Sequence, residues 1–197
     1  MASNRLYGPS SSPQTPGGVV AANTSGAQAA VLPALQVIAA AATDTVILNP
    51  SQNSATAALI LNIPPGGPLE GRPFQVLASG YLAPAQSSTA TLKLWSGTST
   101  TVASDTVLGS SGAVTAFTRK CPWWIKAELQ YDSVSGLLTG KIEFFVNNVI
   151  VAAVAISNVV SSVNNANNPV LSFVLSVAFG TATAPNTINV QEFAVNF

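Results

Sequence analysis

Seven carboxylates, Asp44, Glu70, Asp105, Glu128, Asp132, Glu143 and Glu192, are the acids of this chain, and it has no histidine and a single cysteine, Cys121. Without histidine there is no Ser-His-Asp triad, no imidazole metal ligand and no HExxH helix. Cys121 has no imidazole to activate it and reads as a small buried hydrophobe. A glycosidase needs two carboxylates across a cleft, and Asp105 with Asp132 is the pair not otherwise engaged. GPLEGRPF is not a phosphate-binding loop. There is no Asp-rich calcium loop, and Asn164, Asn165, Asn167 and Asn168 read as a turn. The expectation is therefore no enzyme, no cofactor and no metal. Trp95, Trp123, Trp124, Tyr81 and Tyr131 have faces that stack on sugars, although aromatic residues on strands more often serve a core or an interface.

What the chain lacks most is charge. Of 197 residues, seven are basic and seven acidic, so the net charge is zero and 7% of residues are charged, against about 25% in ordinary domains. A nucleic-acid binder needs clustered Lys and Arg to displace phosphate counterions, which excludes that class. Disorder of the whole chain is also excluded, because hydrophobicity is ordinary and net charge is nil. Nothing opposes self-association. The first residues, MASNRLYGPSSSPQTPGG, have no apolar core of the kind a secretory signal carries. Residues 144–191 carry no charge, but Asn147, Asn148, Ser157, Asn158 and the later asparagines cut them into strand-length pieces. No membrane span is expected.

Two parts are expected. Residues 1–44 read as an arm or linker, Pro- and Gly-rich at first and without apolar periodicity. It is either a disordered tail or an extended arm lying on the body or on a neighbour, with at most a short helix in the Ala-rich 29–42 piece, where Pro33 interrupts. Residues 45–197 read as one all-β antiparallel sandwich. Short Val/Ile/Leu/Phe/Thr runs alternate with Gly, Pro, Asn and Ser clusters. The expected strands are 45–49, 56–63, 73–82, 89–96, 101–107, 112–118, 123–131, 138–146, 149–157, 169–179 and 187–197.

The best-specified piece is 123–157. Joining WWIKAELQY to LTGKIEFFV through a loop containing Gly136 sets Lys126 opposite Glu143 and Glu128 opposite Lys141. Ile125–Phe144 and Ala127–Ile142 then pair on the other face. A one-residue slip would turn the charges into the core, so the register is well determined. Asn147-Asn148 makes a two-residue turn. The next strand, VIVAAVAIS, sets Val149 and Val151 opposite Val146 and Phe144 on the core face. It leaves Ile150, Ala152, Val154 and Ile156 on the outer face, with Trp124, Phe145 and Ile150 aligned across three strands. Trp124, Phe145, Ile150, Ala152 and Val154 are thus the expected interface. An apolar row on an outer face calls for cover, either from the arm, from residues 31–63 or from another subunit.

Four stretches, RPFQVLASGYL, STATLKLWSGTS, WWIKAELQYDSVSGLLTGKIEFFVNNVIV and TINVQEFAVNF, span residues 69–197. In their sequence this region resembles jelly-roll virion proteins of tailed bacteriophages. The resemblance implies a jelly-roll sandwich and a capsid decoration or cement protein. Such a protein is a homotrimer on the major capsid protein lattice, with an N-terminal arm reaching its neighbours, and it resides in the virion. The family supplies no catalytic residues. The alternative is a carbohydrate-binding jelly-roll module for host recognition, with a glycan as ligand.

Overall fold

In a computed structural model the described residues are 19–23, 26–29, 35–38, 43–47, 60–63, 72–83, 88–97, 102, 104–116, 120–132, 134–160, 171–180 and 186–196. All regular elements among them are strands. In chain order they are β1 (Val19–Asn23), β2 (Gly26–Ala29), β3 (Leu35–Ile38), β4 (Thr45–Val46), β5 (Ile60–Ile63), β6 (Pro73–Ala83) and β7 (Ser88–Ser96). There follow β8 (Thr106–Ser110), β9 (Val114–Ala116), β10 (Cys121–Asp132), β11 (Leu137–Val146), β12 (Val149–Val159), β13 (Leu171–Phe179) and β14 (Asn186–Asn196). The alternation that marked the strands in the sequence becomes burial. Phe74, Val76, Ala78 and Leu82 on β6 are buried, as are Cys121, Trp123, Ile125, Ala127, Leu129 and Tyr131 on β10, while the residues between them are half-buried or exposed.

Two antiparallel sheets enclose one core, an all-β sandwich. The larger sheet runs β1-β2-β14-β6-β10-β11-β12, with β3 also on β14. The smaller runs β4-β13-β7-β8, with β5 on β13 and β9 on β7. Phe74, Phe144, Phe173, Phe179, Phe193 and Trp123 fill the space between them. β13 is buried on both faces. Leu171, Phe173, Leu175 and Val177 face the main core, while Val174 joins Val46 and Val102 in a second cluster on the far side, with Ile60 and Trp95 against it. That second cluster explains why β13 carries an apolar Val174 between Ser172 and Ser176.

Each strand expected from Thr45 onward overlaps a strand among the described residues, most with ends shifted by a few positions. The fifth, 101–107, differs most: Val102, Ser104 and Asp105 are not strand, and the strand runs over Thr106–Ser110. Leu35–Ile38, in the stretch given at most a short helix, is strand and pairs with Asn186–Asn189. β2 pairs with Phe193–Asn196, so the described strands within 1–44 belong to the larger sheet. Residues 1–18, the 164–168 asparagines and Phe197 lie outside the described residues.

The β10–β11 register is the expected one, with Lys126 opposite Glu143, Glu128 opposite Lys141, Ile125 opposite Phe144 and Ala127 opposite Ile142. Gly136 turns with φ 69° and the Asn147-Asn148 pair with φ 53° and 64°. Both asparagines are left-handed, the geometry a two-residue turn needs to match strand twist.

The β11–β12 ladder requires a correction. It begins as expected, Val146 to Val149 and Phe145 to Ile150, but Phe144 then pairs with Ala152. Val151 is the extra residue of a β-bulge, and every side chain beyond it changes face. Ala152 and Val154 therefore pack against the core and Ile156 is buried, while Ala153 and Ala155 point out. Ala152 and Val154 are not on the outer face. Val149, expected on the core face, is 60% exposed at the hairpin tip.

Candidate interaction surface

The outer face of the larger sheet is assembled by register. One row reads Glu192, Ser79, Trp124, Phe145, Ile150 across β14, β6, β10, β11 and β12. Trp124 and Phe145 stack with ring centroids 4.7 Å apart and planes 16° from parallel. Both are half-buried, and Ile150 is 54% exposed. Beside them Tyr81 pairs with Pro122, and the Lys120 ammonium sits 5.8 Å above the Tyr81 ring. The result is an aromatic and aliphatic strip at one end of the sheet.

Below the strip lie four charges. Sequence register set them as cross-strand pairs, and their Cα positions are so arranged, but the close contacts run along each strand. Lys126 Nζ is 2.7 Å from Glu128 Oε1, and Lys141 likewise pairs with Glu143. Residues two apart on a strand share a face, and a lysine stem is long enough to lie along it. Lys126 holds the Glu128 carboxyl below its usual range, with smaller help from Lys141 and Gln75. Lys126 is raised in turn, chiefly by Glu128 and only weakly by Glu143. The quartet thus neutralises itself, and the charges left beside the apolar strip are one of each sign, Glu192 and Lys120.

Neither of the expected covers lies over this strip as a paired strand. β2 and β3 attach along the edge of β14, and β4 and β5 belong to the other sheet. Among the described residues the row is open.

The other aromatic residues divide. Trp123 and Tyr131 are 1% and 3% exposed in the core and are not available to a ligand. Trp95 lies on the outer face of the smaller sheet, donating its indole N–H to Ser176 Oγ at 2.8 Å, with Lys93 5.4 Å above its ring. Lys93 in turn meets Asp44 at 2.6 Å. These contacts, which no local pattern announced, join residues from three distant stretches of chain. Cys121 is buried with its sulfur 3.0 Å from Asn147 Oδ1. No cluster of three or more metal-ligating acids or thiols occurs among the described residues. Asp132 accepts from Val134 N–H at 3.0 Å and Ser135 O–H at 2.5 Å, closing its hairpin loop. Among the described residues no helix is long and apolar enough to cross a membrane.

No family model, no curated protein and no solved structure matches the chain.

Proposed function

We propose that this chain is a structural virion protein of the capsid decoration or cement class, assembled with copies of itself on a major capsid protein lattice. The observation that supports this reading best is the open Trp124–Phe145–Ile150 row beside a self-neutralised charge quartet. A rigid aromatic pair fixed on a sheet loses little conformational entropy on docking. The neutral surround imposes little desolvation cost and gives no long-range field. A surface of this kind suits a partner at high local concentration, such as a repeating lattice. The jelly-roll type of sandwich belongs to the same reading.

Co-sedimentation with capsids of the parent virus tests it. Binding is expected to be unchanged between about 50 mM and about 500 mM NaCl, a range over which screened charges would weaken. Trp124→Ser is expected to lower particle binding at least about tenfold with the thermal midpoint preserved. Loss of binding at moderate salt, or full binding by Trp124→Ser, would overturn the proposal.

The half-exposed Trp124 and Tyr81 on one face favour a second reading, a carbohydrate-binding module. It predicts glycan-array signal that Trp124→Ser abolishes, with no particle binding.

A further inference from the structure

β12 closes one side of the larger sheet, pairing only with β11 among the described residues. Its eleven residues, VIVAAVAISNV, contain no charge and no proline. Natural edge strands are usually blunted by shortness, charge, proline or a bulge. Here the one bulge falls at Val151, near the start, and Ala152–Val159 run on in regular register. On the neighbouring edge of the smaller sheet, the Asn158 amide donates to the Val107 carbonyl at 3.3 Å, which ties the two sheets together without blocking the free side of β12. Beyond the bulge the exposed side chains are Ala153, Ala155, Ser157 and Val159, and the three in the middle of the strand are small.

We infer that β12 pairs antiparallel with β12 of a second copy of this chain, across a two-fold axis at Ala155. Ala155 lies at the middle of the regular run Ala152–Val159, within one residue. With the axis there, Ala153 meets Ser157 of the second copy on the outer face, and Val154 meets Ile156 on the core face. No charge opposes its own image, because the strand has none. Small outer residues let the two backbones approach to ladder distance. Among the described residues the opposite end of this sheet is β1, five residues long. It matches under half of β12, so a head-to-tail contact would leave most of the edge unsatisfied. A two-fold contact also uses up both β12 edges and stops at two copies. The inference involves no capsid and is independent of the lattice reading.

Sedimentation of the full chain tests it. The expected mass is that of two copies of the 20.0 kDa chain. Ala155→Lys places an ammonium opposite its symmetry mate, and Ser157→Lys crowds the same seam. Each is expected to raise the dimer dissociation constant at least about tenfold, since like charges directly opposite destabilise pairing. Thr115→Lys, also exposed but on β9, is expected to leave the dimer intact, and all three to share one thermal midpoint when diluted until the wild type is monomeric. A monomeric wild type, a ring larger than a dimer, or a dimer indifferent to both β12 substitutions would overturn the inference.

Discussion

Ser176 shows how one hydroxyl organises a distant neighbour. It is fully buried on β13, yet its oxygen receives the Trp95 indole N–H. Ser176→Ala removes the acceptor and leaves that donor short of a partner, at an expected cost of about 1 kcal/mol, read by urea denaturation. Asp132 works through pH. The Ser135 hydroxyl, first, and the Val134 N–H hold its carboxyl below the usual aspartate value. A depressed folded pKa means the unfolded chain takes up the proton first. The loop's contribution is therefore complete above the unfolded aspartate value of about 3.9 and lost as pH falls through the lower folded one. Asp132→Asn is expected to flatten the pH dependence of the thermal midpoint below about pH 4 while leaving the slope above it unchanged.

At the scale of elements, the bulge at Val151 decides what β12 presents. Val154→Asp would press a carboxylate against the core and is expected to cost at least about 2 kcal/mol. Ala153→Asp, one residue away and exposed, is expected to change monomer stability by less than about 0.5 kcal/mol. An unbulged ladder would reverse that order, so a pair of chemical-denaturation curves separates the two. The same element shows where sequence reading stopped. The β10–β11 register was legible because Lys126, Glu128, Lys141 and Glu143 penalise any slip. β12 carries no charge and is apolar on both sides, so its sequence has no mark that distinguishes a bulged from a regular ladder. The aromatic row survived because Ile150 precedes the bulge, whereas Ala152 and Val154 follow it. β2 and β3 were illegible for another reason. Their short segments, GAQA and LQVI, join the sheet through β14, which lies more than 140 residues further on.

For the molecule as a whole, scarcity of charge has a measurable face. With seven charges of each sign and no histidine, almost nothing titrates between the carboxylates at about pH 4 and the amines and thiol above about pH 8, so self-repulsion is minimal throughout that interval. Turbidity of concentrated protein is expected to hold a plateau from about pH 5.5 to about pH 8 and to fall below about pH 4.5 as carboxylates protonate. A flat profile from pH 4 to pH 9 would contradict that expectation. Added salt is expected to do little to stability, because the surface ion pairs are few and exposed.

β14 sits between strands made long before it, with β6 on one side and β2 and β3 on the other. A growing polypeptide therefore carries β2 and β3 with no place in the sheet, and an open flank on β6, until β14 has emerged. Translation speed across residues 160–196, rather than anything in the finished contacts, sets how long those unpaired segments stay exposed to chaperones and to one another.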